Sequence, residues 1–186
     1  MHADGDTLTD FALRKDAAAI PYMLTGSVAG QFHGLDRSTM GTDVVIDLDA
    51  GRAGALLESL RDGWYVDAGM VVEGLERRSM FNVLPVAGGK FDLIPLRREP
   101  YELAKFERRQ AMDWHGTRIW VITPEDLVLS KLLWAKDSHS DVQFRDVRVI
   151  MAKGSFDERS AYFQQWLGRL GLRETLDHAA KAGHDA

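Results

Sequence analysis

Residues 22–46 read YMLTGSVAGQFHGLDRSTMGTDVVI, and the order of features in this stretch decides the fold. Tyr22 to Thr25 is a short apolar run that stops at Gly26-Ser27, as a strand does on meeting a glycine turn. Val28, Ala29, Phe32 and Gly34 then suggest a brief helix packed by small residues. Thr42 to Leu48 is rich in β-branched residues and reads as a buried strand. The stretch is therefore a strand, a glycine turn, a short helix and a second strand. Asp43 sits inside that second strand, where a buried acid needs a partner or a metal.

Working outward, Leu8, Phe11, Leu13 and Ala17 to Ala19 fall near helical spacing, and Pro21 closes that helix. On the other side, Leu56, Leu57 and Leu60 share one helix face and Gly63 ends it. Met80 to Val86 and Lys90 to Leu96 are two further strands, and Ala87-Gly88-Gly89 between them suits an antiparallel hairpin. Asp92 lies on the second of these, flanked by Phe91, Leu93 and Ile94. Glu99 to Trp114 is helical in pattern, and Thr117 to Ile122 is strand-like. Thr123-Pro124-Glu125-Asp126 supplies an N-cap, a proline at the first helical position and an acidic first turn. From Leu127 to Ala182 three or four helices follow, broken near Ser138 to Ser140, at Gly154 and at Gly171. The expected class is α/β or α+β: a mixed sheet flanked by helices in residues 1–122, with a helical region, 123–186, packed on that core.

At 186 residues and 45% hydrophobic content, the chain can build one real core. Cysteine is absent, which excludes disulfide frameworks, cysteine zinc sites and thiol nucleophiles. No run approaches the roughly 20 apolar residues that span a bilayer, and the first ten residues carry Asp4, Asp6 and Asp10. A cytoplasmic address without a membrane partner is the expectation. A net charge of −5 speaks against sequence-independent binding along a nucleic-acid backbone by the whole molecule. Three arginine doublets, at 77–78, 97–98 and 108–109, remain as local basic patches and read first as solvated surface.

Transfer of a nucleotidyl group needs a divalent metal to neutralise the triphosphate, carboxylates to hold that metal, and a close backbone approach to the phosphates. A glycine-serine turn at a helix start supplies the last of these. Gly26-Ser27, Asp43 on the next strand and Asp92 on a later one make such a set. The runs Leu24-Thr25-Gly26-Ser27-Val28-Ala29, His33-Gly34, Arg37-Ser38-Thr39 and Asp43-Val44-Val45-Ile46 resemble the polymerase-beta-like nucleotidyltransferase superfamily. More narrowly, they resemble the small bacterial minimal nucleotidyltransferases and toxin–antitoxin proteins of the AbiEii type. Thr123-Pro124-Glu125-Asp126-Leu127, Lys131-Leu132 and Arg145-Asp146-Val147 fit the same group, so the resemblance spans residues 22–151.

The resemblance implies Mg²⁺ or Mn²⁺ held by Asp43 and Asp92, which are then the catalytic acids. It implies an NTP bound by Gly26, Ser27, Arg37, Thr39 and Lys131, and transfer of a nucleoside monophosphate to a protein or RNA hydroxyl. A toxin–antitoxin partner protein is a further implied partner. In that family the strand after the turn carries two acids two residues apart, and the family's spacing counted from Ser27 places the first at Gly41 and the second at Asp43. One metal ligand is thereby missing. Asp47 shares a face with Asp43 but lies four strand residues away, about 13 Å, too far to replace it. Asp36 or Asp49 from a loop is the remaining compensation. Two readings stay open: an active transferase, and a weakened or inactive module that binds nucleotide or a partner protein. Lys131 has its own alternative, a structural ion pair with Asp146.

Overall fold

The computed structural model describes residues 5–36, 39, 41–138, 140–153 and 155–181. Helix α1 (Gly5–Ala17) precedes strand β1 (Tyr22–Thr25), which runs without a loop into α2 (Gly26–Phe32), and β2 (Gly41–Ile46) follows. A 3-10 turn at Ala50–Arg52 leads to α3 (Ala53–Ser59), β3 (Trp64–Tyr65), α4 (Ala68–Arg77), β4 (Phe81–Pro85) and β5 (Lys90–Pro95). Then come α5 (Pro100–Glu107), β6 (Gln110–Trp114) and β7 (Thr117–Val121), and after them α6 (Pro124–Ser138), α7 (Asp141–Met151), α8 (Ala161–Arg169) and α9 (Arg173–Lys181).

Among the described residues the strands form one seven-stranded mixed sheet in the order β3-β4-β5-β2-β1-β7-β6. β1 runs antiparallel to β2, while β2 with β5 and β1 with β7 are parallel. The mixed α/β class expected from the sequence is the one observed. Two compact units make up the chain, Met1–Val28 with Ser38–Ile122 and Ala29–Arg37 with Thr123–Ala186. The whole sheet belongs to the first unit; α6 to α9 belong to the second.

Within the first unit, strand alternation sorts the side chains. Tyr22, Leu24, Val44, Phe91, Leu93, Phe81 and Val83 share one face of the sheet and are buried. On this face Phe11 of α1 stacks on Phe91 at 4.9 Å between centroids and meets Tyr22 edge-on at 5.7 Å, with Trp64 edge-on to Phe91 at 5.0 Å. Each such buried ring contributes roughly 1.5–3 kcal/mol by leaving water. The opposite face carries the acids Asp43 and Asp92 beside the buried Met23 and Val45, and that is where a site can lie.

The expected helix from Glu99 to Trp114 is corrected by the structure. Only Pro100–Glu107 is helical, and Gln110–Trp114 is an edge strand paired antiparallel with β7, Trp114 opposite Thr117 and Gln110 opposite Val121. His115 and Gly116 between them have φ of 50° and 82°, the positive pair of a two-residue type I′ hairpin turn. This edge strand, Gln-Ala-Met-Asp-Trp, has no fully buried face, so its apolar residues do not alternate as those of a core strand do. β3 and α4 also went unread. α4 is set by a local device, Asp67 accepting from the Met70 N–H at 2.8 Å, and ends on Arg78 in the left-handed region. The helix start at Thr123 is observed, its hydroxyl accepting from the Asp126 N–H at 3.3 Å and donating to Asp126 Oδ2 at 2.8 Å. The break expected at Gly154 falls outside the described residues. None of the helices among the described residues is long and apolar enough to cross a membrane.

One buried cation in this unit makes stability depend on pH. Lys15 is fully buried and its ammonium donates to the Ser59 hydroxyl. Burial pushes its pKa down to about 7, Arg14 pushes the same way, and Asp10 opposes them. Between pH about 7 and the unfolded value near 10.5 the unfolded chain binds more protons than the folded one. Stability attributable to Lys15 therefore rises with pH across that window, by at most about 1.4 kcal/mol per pH unit. Replacing it with an isosteric apolar side chain, Lys15→Met, should raise the urea midpoint most at pH 7 and flatten its rise towards pH 9.5. Parallel midpoint profiles for the two proteins would contradict this.

Candidate functional site

The register of four neighbouring strands sets Thr25, Asp43, Asp92 and Asn82 in one row across this second face. Asp43 and Asp92 are direct partners on the parallel pair β2 and β5, where strands lie about 4.8 Å apart. Two residues nearer the strand starts, Gly41 pairs with Lys90 on the same face. Gly26 opens α2 at φ +63°, and a Cβ built there would stand 2.0 Å from Asp43 Oδ2. The Asp43 carboxylate thus lies against the backbone of the Gly26-Ser27 turn. Glycine is needed at that position twice, for the left-handed backbone and for the space. The turn, Asp43 and Asp92 thus fall together at one end of the sheet.

No family model and no curated protein sequence matches the chain. Solved structures do. An antigenic nucleotidyltransferase-like protein from Paracoccidioides brasiliensis aligns at a TM-score of 0.60 with 19% identity, over 96% of this chain and 92% of its own. The fold is that of the nucleotidyltransferases. The antibiotic-resistance factor ANT(2'')-Ia aligns in its solution structure at 0.55 with 13% identity, over 99% and 98% of the two chains. Its crystal complex with adenylyl-2''-tobramycin aligns at 0.57 with 11% identity, over 92% and 99%.

Within this nucleotidyltransferase fold, the surroundings of Asp92 depart from a bare carboxylate site. Asp92 is nearly buried; its Oδ1 accepts from the Asn82 side-chain amide, and its Oδ2 pairs with Lys90 Nζ at 2.9 Å. A Cβ built on Gly41 would stand 3.1 Å from Asp92 Oδ2 and 3.4 Å from Lys90 Cε. An acid at position 41 would therefore project into the space where Lys90 now lies. Neither Asn82 nor Lys90 was singled out in the sequence. The signal was present: residues 82 and 92 are equally far from Ala87 at the centre of the hairpin, and Lys90 precedes Asp92 by two on one strand.

The remaining expected residues are scattered in role. Ser27, the second residue of α2, is half-buried. Thr39 enters β2, its hydroxyl donating to Gly41 O at 3.3 Å and accepting from Gly41 N at 3.5 Å, both long contacts. Arg37 lies outside the described residues. Lys131 belongs to the second unit, where its buried ammonium donates to Asp146 Oδ2 at 2.7 Å and Gln143 Oε1 at 3.1 Å. That is the structural ion pair set against a phosphate contact in the sequence. Asp47 and Asp49 lie past the far end of β2 from Asp43 and do not stand in for Gly41. Asp47 pairs with Arg98 at 2.8 Å, and Asp49 pairs with Arg78 at 2.6 Å, an interaction that holds its carboxyl below the usual range. Asp36 is exposed. Arg77, Arg78, Arg97 and Arg98 with Glu99 line one surface pocket, so two of the three doublets come together. Arg109 instead packs over the rings of Phe106 and Trp120.

Asp43 and Asp92 have the spacing of two acids that share an ion, which a Mg²⁺ or Mn²⁺ site would use. Against that, both oxygens of Asp92 already have partners and position 41 offers no side chain. Among the described residues there is no group of three His, Asp or Glu side chains that could hold a metal ion. As they stand, these residues do not fit a two-metal centre.

Proposed function

We propose that the chain binds a nucleoside triphosphate at the Gly26-Ser27 turn and the Asp43–Asp92 row, with nucleotidyl transfer weakened by the glycine at position 41. The observation that carries this reading is the Asp43 carboxylate packed against Gly26 and in register with Asp92. The left-handed Gly26 turns the chain into α2, and the Ser27 hydroxyl and N–H are the donors that a phosphate would meet at that turn. Asp43 buttresses the turn from the neighbouring strand. The crystal complex of ANT(2'')-Ia with an adenylylated molecule supports a nucleotide as the ligand class. Even the loss of a supporting partner lowers metal affinity about 10–100-fold, so the absence of a whole ligand at Gly41 argues for weak transfer.

The competing reading is Mg²⁺-dependent transfer of a nucleoside monophosphate from NTP to an RNA or protein hydroxyl at the same two acids. The in-register pairing of Asp43 with Asp92 favours it. α-Labelled ATP, GTP, CTP and UTP, with RNA and protein acceptors and Mg²⁺, separate the two. The wild type should retain nucleotide in equilibrium dialysis yet transfer label no faster than Asp43→Ala. Transfer at least tenfold above that variant would establish the competing reading, and no retained nucleotide would reject the first.

A further inference from the structure

Lys90 occupies a position that neither the motif nor the fold accounts for. It sits two residues before Asp92 on β5, so both side chains leave the same face of the sheet, and the ammonium closes on Asp92 Oδ2 at 2.9 Å. Its Cε lies 3.4 Å from the point a Cβ at Gly41 would occupy, so the missing acid and the lysine compete for one volume. The two partners face differently: the Asp92 side chain is 10% exposed and that of Lys90 is 45% exposed. A lysine ammonium carries three N–H donors, and Asp92 is its partner among the described residues. Two donors of this half-exposed ammonium are therefore left for a further partner, on the strand whose Asp92 is in register with Asp43.

A third carboxylate would give this row a charge that only a polyvalent cation could offset before a phosphate approached. The row instead has two carboxylates and a fixed ammonium. Charge-assisted N–H bonds from an ammonium to phosphate oxygens are about twice as strong as neutral ones and need no metal coordination geometry. We infer that the Lys90 ammonium is the resident cation of this site, taking the place of a divalent metal against Asp92 and meeting the phosphates of a nucleotide directly. This rests on the nucleotide-binding reading above, and it adds that binding is independent of divalent ions. Glycine at 41 and lysine at 90 are then one coupled change, the first making room for the second.

The test has two arms. In the first, N-methylanthraniloyl-ATP is titrated into the wild type, Lys90→Gln and Lys90→Arg, in EDTA and in Mg²⁺, with circular dichroism to verify folding. The wild-type Kd should agree within twofold between the two buffers; Lys90→Gln should weaken it at least tenfold, and Lys90→Arg should restore most of it. In the second, Mn²⁺ alone is titrated, with free ion followed by electron paramagnetic resonance, into the wild type, Gly41→Asp, Lys90→Gln and the double variant Gly41→Asp/Lys90→Gln. The double variant should bind Mn²⁺ at least tenfold more tightly than the wild type, and neither single variant should match it. A wild-type Kd at least tenfold tighter in Mg²⁺ than in EDTA overturns the inference while leaving nucleotide binding intact. Wild-type Mn²⁺ affinity equal to that of the double variant overturns it as well. No nucleotide bound in either buffer rejects the nucleotide reading, and the Mn²⁺ arm then decides the role of Lys90 without it.

Discussion

Gly26→Ala should cost the first unit more stability than any other glycine-to-alanine change at a positive-φ position with open surroundings, and should abolish nucleotide retention. Two effects add at this position. A non-glycine residue at φ +63° costs about 1–2 kcal/mol for the left-handed backbone. The new Cβ would also meet Asp43 Oδ2 at 2.0 Å, so the carboxylate must swing away or the turn must move. Gly116 is the control, since it has φ +82° and nothing within 4 Å of its Cβ position. Gly116→Ala isolates the backbone term. Urea unfolding should place Gly26→Ala below Gly116→Ala by at least about 1 kcal/mol, the lower end for forcing groups into a packed site. Equal losses would mean that Asp43 does not rest on the turn.

In the second unit, Asp146→Ala should destabilise by about 3–5 kcal/mol, because it removes the carboxylate that faces the buried Lys131 ammonium at 2.7 Å. Lys131 and Asp146 are 5% and 2% exposed at the side chain, so neither charge can turn to solvent without opening the helix pair α6 and α7. Removing both charges, Lys131→Met with Asp146→Leu, should recover most of that loss, since apolar pairs of similar volume often replace a buried ion pair at little cost. Denaturant midpoints for the two single variants and the double close the cycle. Additive losses would contradict a coupled pair. The double variant also addresses the nucleotide contact expected of Lys131 from the sequence: nucleotide affinity within twofold of wild type assigns Lys131 to structure alone, and a loss of tenfold or more returns it to the site.

The sequence was most legible where one local rule dominated. Tyr22 to Thr25 stops at Gly26 because the next step needs positive φ, and the structure turns there. Thr123 and Pro124 announce a helix by capping chemistry that acts within four residues, and α6 begins at Pro124. Ala87-Gly88-Gly89 gave the β4–β5 hairpin, with Gly88 and Gly89 both at positive φ. What was lost depended on partners distant in the chain. β6 is an edge strand without a buried face whose identity comes from its ladder with β7, so its own residues carried a misleading period. Asp43 and Asp92 were found as acids in apolar strands. Asn82 and Lys90 were not, because an amide and a lysine near strand ends look like ordinary surface until register sets them against Asp92. That Gly41 stands where an acid is expected was implied by the family resemblance alone, whereas the ammonium beside it required three dimensions.

The proposed function needs one ligand site, at the turn that Asp43 supports. Its most direct test is a crystal structure with a nonhydrolysable ATP analogue grown in EDTA. Triphosphate density is expected over the Gly26-Ser27 turn, with a phosphate oxygen within hydrogen-bond reach of Lys90 Nζ. Nucleotide density in the arginine pocket of Arg77, Arg78, Arg97 and Arg98, with none at the turn, would contradict it.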